Sequence, residues 1–155
     1  MSLSNSITKL LNMEEKNILF SEDFFEERII HDKRCFVIKG YLKNDLEFCP
    51  KCGCINDNNI IKKGIEKSLI KINKISGIDS YLELNKQVYK CKCCNKKITS
   101  QSSIVDYGCY ISNKLKLAVF NCAKEIMSKS LIARLYNISD NTVQKIFDTQ
   151  FNHET

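Results

Sequence analysis

The chain has no run of apolar residues near the roughly twenty that a helix needs to cross a bilayer. Its start, MSLSNSITKL, has neither a basic leader nor an apolar signal core, so the expectation is a cytoplasmic protein with no membrane partner. Internal repeats and low-complexity segments are also missing, which excludes solenoid and linker-dominated architectures. Histidine is scarce. The two present, His31 and His153, lie far from any cysteine motif and are assigned no ligand role. Cysteine, by contrast, is plentiful. Nine thiols in a reducing compartment argue against a disulfide framework, and an odd number cannot all pair within one chain, which leaves metal ligation or plain burial.

At 155 residues and 43% hydrophobic, the chain is long enough for one ordinary domain or two small ones. Its charge is uneven. Residues 1–48 carry seven Lys/Arg against nine Asp/Glu, whereas residues 49–148 carry seventeen against eight. The basic surplus therefore sits beside the cysteines, as expected for a polyanion partner, although a lysine-rich face is also commonly just solvated.

Ile7, Leu10 and Leu11 at helical spacing, after Ser4 or Ser6 as cap, predict a short opening helix. EERIIHD (26–32) and FVIKGYL (36–42) predict a hairpin turning near Asp32 and Lys33. After CPKCGC (49–54) come the short strand candidates IIKKG, SLIKI, YLELNKQVYK and KKIT, read as a curled antiparallel sheet. From Ile111 to about Phe147 the period is helical, with the polar stretch 99–103 as the expected linker. The predicted fold class is α+β: a small β-rich zinc-ribbon-like module followed by a three-helix helix-turn-helix module, with a short α/β lead-in. The corresponding segments are 1–48 for the lead-in helix and hairpin, 49–103 for the zinc-binding module and 104–155 for the DNA-binding helices.

Two Cys-x-x-Cys pairs carry the chemistry: Cys49 with Cys52, and Cys91 with Cys94. Such a pair grips one side of a tetrahedral ion when the chain turns tightly after the second cysteine, aiming backbone N–H groups at the sulfurs. The residues at that turn, Gly53 and Asn95, are the two types that best tolerate positive φ. A thioredoxin-like redox site wants one such pair at a strand-to-helix junction, and here there are two within strand-patterned sequence. Iron–sulfur ligation is compatible with the spacing, but the ribbon-like context favours one Zn2+ per chain. The 38 residues between the pairs exceed the usual ribbon gap and imply an extra hairpin. Cys35, Cys54, Cys93, Cys109 and Cys122 are read as small, mostly buried apolar side chains.

KSLIARLYNISDNTVQKIF (129–147) reads as two helices joined at Asn137, with Ile132, Ala133, Tyr136, Ile138, Val143 and Ile146 facing a core. A preceding helix offers Ile111, Leu115, Val119, Cys122 and Ile126. Ser139 caps the last helix, whose outer face carries Asp140, Asn141, Thr142, Gln144 and Lys145 as candidate base or phosphate contacts. An ordinary helical bundle gives the same apolar pattern. With one lysine on that face, most phosphate contacts would come from Lys62, Lys63, Lys67, Lys71, Lys90, Lys92, Lys96 or Lys97.

CPKCG, then strands, VYKCKCCNKKI, a polar joint and NISDNTVQKIF resemble, in that order, the N-terminal half of transposases of the insertion-sequence group called IS-L-three. The resemblance covers nearly the whole chain. It implies a zinc-binding and helix-turn-helix part that recognises the element's terminal inverted repeats in double-stranded DNA, with a homodimer compatible. It also implies a downstream carboxylate-bearing catalytic domain, which has no counterpart in these 155 residues. The acidic residues here are scattered, the densest group being Glu22 to Glu27, so no enzymatic activity is expected. A stand-alone zinc-ribbon regulator of transcription is the alternative.

Overall fold

The Ser2 hydroxyl accepts a hydrogen bond from the Asn5 N–H and so caps α1 (Leu3–Leu10), earlier than the serines expected to do it. A computed structural model describes residues 2–125 and 127–154, with the side chains of His153 and Glu154 also outside the description. The first hairpin forms, with its turn one residue earlier than expected. β2 (Phe25–Ile30) pairs antiparallel with β3 (Lys33–Leu42), and His31 and Asp32 make the turn, both at positive φ. That backbone pair matches the right-handed twist of the flanking strands. A short β1 (Ile18–Leu19) pairs with the far end of β3.

The second hairpin is much longer than the sequence suggests. β4 (Ile60–Ile75) and β5 (Ile78–Cys91) run antiparallel through a turn at Ser76 and Gly77, again both at positive φ. A register shift between Lys62 and Gly64 breaks the alternation of β4, and Gly64 takes φ +139° there. This bulge is why one sixteen-residue strand reads as two short ones. β6 (Lys97–Thr99) adds to the end of β5.

The expected fold class is overturned by one pairing. β3 lies parallel to β5, from Phe36 opposite Ser80 to Leu42 opposite Lys86. The lead-in strands and the cysteine-flanked strands therefore share one six-stranded mixed sheet, ordered β1-β3-β5-β4, with β2 on β3 and β6 on β5. It is not a zinc ribbon followed by a helix-turn-helix module, and the sheet is not antiparallel throughout. Burial explains the outcome: Leu82 and Leu84 of β5 are fully buried because both neighbouring strands and an overlying layer cover them. Ile38, Leu42, Ile70, Leu82 and Leu84 form the main core, closed by Ile7 of α1 and by Ile104 and Val105. The opposite face carries a smaller cluster of Cys35, Val37 and Tyr81.

The chain then returns to the sheet before turning helical. Ile111 bridges Lys71 of β4, and Ser112 caps α2 (Asn113–Lys124) through the Leu115 N–H. Ser128 caps α3 (Lys129–Tyr136), Asn137 ends it at φ +54°, and Ser139 caps α4 (Asp140–Glu154) through the Thr142 N–H. Leu115, Val119, Phe120, Ile132, Ala133, Val143 and Ile146 make a second core. Tyr136 and Ile138 pack partly buried against it, whereas Ile126 lies outside the described residues. Asn137 Nδ2 also donates to the Asp79 carboxylate at 3.1 Å, which ties the α3–α4 junction to the start of β5. Residues 99–103 are held as well: the Ser102 hydroxyl and the Ser103 N–H both donate to the Glu15 carboxylate. Among the described residues no helix is long and apolar enough to cross a membrane.

Candidate metal centre

The two Cys-x-x-Cys segments fold into matched knuckles. In the first, the Gly53 N–H donates to the Cys49 carbonyl at 2.8 Å, and the Cys49 N–H to the Cys54 carbonyl at 2.8 Å. In the second, the Asn95 N–H donates to the Cys91 carbonyl at 2.8 Å, and the Cys91 N–H to the Lys96 carbonyl at 3.1 Å. Gly53 and Asn95 sit at φ +76° and +61°, the left-handed conformation that these residue types tolerate. Register then unites the knuckles. Ile60 lies opposite Cys91, and the Lys92 N–H donates to the Asn59 carbonyl at 2.7 Å, so the chain leaving the first knuckle runs alongside the second.

The result is a group of four sulfurs. Those of Cys49, Cys52, Cys91 and Cys94 all lie within 4.8 Å of one another, close enough to hold one metal ion. The Cys49–Cys94 separation is 3.8 Å and the Cys52–Cys91 separation 3.6 Å. Cys49 and Cys91 are buried, while Cys52 is exposed and Cys94 half-buried. Tyr89 and Ile98 wall the buried side, with Leu46 and Ile60 packed against them. The sequence reading missed these four; Tyr89 and Ile98 meet because β5 and β6 pair them directly, a register that no local pattern announces.

Backbone donors set the electrostatics. Burial opposes ionisation of Cys49, yet the N–H groups of Lys51 and Cys52 and the thiols of Cys52 and Cys91 outweigh it, bringing its pKa down to about 6. At Cys52 the Cys54 N–H favours the thiolate, but burial and the crowd of Cys49, Cys91 and Cys94 prevail and push it up to about 12. Four like thiols this close cannot all ionise without a cation among them.

Of the remaining cysteines, Cys35 is buried, and Cys109 and Cys122 are partly so. Cys54 and Cys93 do not fit the reading as buried apolar side chains. Cys93 is exposed, and the two are joined by a disulfide.

The lysines divide. Lys63, Lys90 and Lys97 line, with Gly64, Glu66 and Asn95, a surface groove of about 580 Å³ beside the second knuckle. Lys97 also pairs with Glu66 at 3.2 Å. Lys62, Lys67, Lys92 and Lys96 are exposed but do not line it. Lys71 is not available to a phosphate: it is buried, with its ammonium 5.0 Å from the centre of the Tyr81 ring.

On α4, Asn141 and Lys145 are exposed, as is Ser139 ahead of it. Thr142 shares a 2.7 Å hydrogen bond with Ser139, Asp140 accepts from Ser130, and Gln144 donates to Asp148. These groups are not beside the groove. The α3–α4 junction is tied to Asp79, at the opposite end of β5 from Cys91. Twelve residue steps along β5 separate Asp79 from Cys91, up to about 40 Å at about 3.3 Å per step. Of the acidic group, Glu26 and Glu27 pair with Arg28 and Arg34, whose hydrogen bonds hold both carboxyls below the ordinary range. No family model, curated protein or solved structure matches the chain.

Proposed function

We propose that this chain is a zinc-dependent protein that binds double-stranded DNA. The observation that carries the reading is the four-thiol cluster with its flanking lysines. A tetrahedral zinc ion with Zn–S bonds of about 2.3 Å has sulfur–sulfur edges of about 3.8 Å, and the Cys49–Cys94 and Cys52–Cys91 separations are 3.8 and 3.6 Å. An iron–sulfur cluster interposes iron and sulfide between its cysteines and suits a more open set. When bound, zinc would supply a fixed cross-link between the two knuckles, with Cys49 and Cys52 on one side and Cys91 and Cys94 on the other.

The chain's own residues then do the binding. Lys63 and Lys90 in the groove, with the exposed Lys62, Lys92 and Lys96 of the neighbouring sequence, offer ammonium groups to phosphates, which fix position without reading sequence. Asn141 and Lys145 on α4 offer donors that suit base edges. The groove lies toward the Cys91 end of β5 and the α3–α4 junction is tied near its Asp79 end, so a duplex contacting both would run along the strand.

The resemblance to IS-L-three transposases supports terminal inverted repeats as the DNA and a role in transposition. We propose binding without strand cleavage, in the cytoplasm. The test incubates the chain with labelled duplexes carrying inverted repeats or scrambled sequence, in magnesium. A shifted, intact duplex with preference for the repeats is expected. Metal-dependent nicking that disappears on mutating this chain's own Asp or Glu residues would overturn the non-enzymatic reading, and equal affinity for both duplexes would overturn the repeats.

A further inference from the structure

The metal reading leaves two thiol positions of the knuckle region unused. Cys54 follows the first Cys-x-x-Cys by two residues, Cys93 lies inside the second, and a disulfide joins them across a sequence separation of 39. Their Cα atoms are 6.7 Å apart, inside the span of about 4.4–6.8 Å that a disulfide bridges without moving the backbone. The register that pairs the knuckles also creates this meeting, because Asn59 docks on Lys92 and carries Cys54 alongside Cys93. Asn59 Nδ2 donates to the Cys54 sulfur at 3.6 Å and to the Ile55 carbonyl at 3.1 Å, which fixes that side chain beside the cluster. Cys93 is exposed and Cys54 half-buried, whereas Cys49 and Cys91 are buried within the cluster. Exposure alone does not single out this pair, since Cys52 is exposed and Cys94 half-buried as well; with a metal bound, the four ligating sulfurs are committed to it and Cys54 and Cys93 are left to react.

We propose that Cys54 and Cys93 are an oxidisable dithiol latch, distinct from the four ligating thiols, which hydrogen peroxide closes and a dithiol reductant opens. In closing, each sulfur loses its hydrogen and an S–S bond forms. Two electrons pass to the peroxide, whose O–O bond breaks to give two waters. In opening, thiol–disulfide exchange returns both thiols and leaves the reductant as its own disulfide.

The latch spans the same gap as the metal. Release of the ion requires the knuckles to part, since each holds two of the four thiols. A covalent tie beside them keeps the released sulfurs together and favours recapture. This consequence rests on the metal reading, whereas formation of the link does not.

The test uses the full chain loaded with zinc, with metal content measured first. One equivalent of hydrogen peroxide is added, remaining thiols are alkylated, and linked peptides are mapped by mass spectrometry. Zinc transfer to a chromogenic chelator is timed before and after. The expected result is a Cys54–Cys93 link alone, full zinc retention and transfer slowed about tenfold, a modest share of what closing such a loop is worth. Cys54→Ser and Cys93→Ser should bind the same zinc, form no link and show no slowing. A link involving Cys49, Cys52, Cys91 or Cys94, loss of zinc on oxidation, absence of the link, or unchanged transfer would each overturn the latch. A Cys54–Cys93 link in a chain that held no zinc beforehand would sink the metal reading instead and leave the dithiol standing.

Discussion

Ile60 lies opposite Cys91 at the end of the β4–β5 ladder, and this one register places the first knuckle against the second. The four-cysteine cluster is therefore an appendage of the sheet end, not the nucleus of a separate ribbon. Chelation should loosen residues near 46–60 and 89–99 while the core around Leu82 and Leu84 persists. Hydrogen exchange with and without chelator checks this, with protection lost in the knuckles and kept in the middle of β5. Loss of protection throughout would mean that the metal holds the whole fold.

Cys49→Ser, Cys52→Ser, Cys91→Ser and Cys94→Ser should each abolish or severely weaken metal binding, because structural zinc sites draw apparent free energies of about 10–16 kcal/mol from a complete ligand set. Elemental analysis of purified variants decides it. Retention of a full metal complement by the Cys94→Ser variant would show that another thiol is the fourth ligand.

Asn95 holds φ +61° and donates its N–H to the Cys91 carbonyl. Asn95→Ala should weaken the second knuckle by about 1 kcal/mol, the usual cost of a left-handed alanine, whereas Asn95→Gly should be tolerated. Competition with a chelator of known affinity measures both. An alanine variant as tight as the parent would remove the positive φ from the account.

A Cβ added at Gly40 would meet Ile18 Cγ2 at 2.8 Å and Phe20 Cε1 at 3.0 Å. Gly40→Ala should therefore cost about 1–3 kcal/mol by overpacking the contact of β3 with the β1 region. Urea denaturation reads it directly, and an unchanged midpoint would show that Ile18 and Phe20 yield freely.

Protons compete with the metal for sulfur, so affinity should fall as pH falls. The Cys49 thiol, lowered to about 6, favours binding above that pH and loses the advantage as pH drops through it. Cys52, pushed up to about 12, must surrender its proton on binding. Calorimetry in buffers of different ionisation heat should show net proton release. Affinity that stays flat from about pH 8 to about pH 5 would contradict thiolate ligation.

The knuckles were legible in the sequence because their geometry is local: the positive-φ positions Gly53 and Asn95 follow each Cys-x-x-Cys directly. Ala133 and Val143 were legible as core for the same reason, since helical spacing reports burial over one or two turns. The parallel pairing of β3 with β5 was not, because Phe36 and Ser80 are joined only through tertiary contact and no turn chemistry announces them. Lys71 looked like any other basic residue of a lysine-rich strand, and only the return of Tyr110 to Ser112 onto β4 shows it to be enclosed. The Cys54–Cys93 link needed the knuckles' relative placement, which depends on the β4–β5 register.

The most direct measurement is fluorescence anisotropy of a labelled duplex titrated with the chain, zinc-loaded and zinc-free, over a series of salt concentrations. Binding should need zinc and show a log–log salt slope near −0.9 for each phosphate neutralised, with Lys63→Ala and Lys90→Ala each flattening that slope by about one contact. Zinc-free chain binding as tightly as the loaded form, or a salt slope untouched by those substitutions, would contradict it.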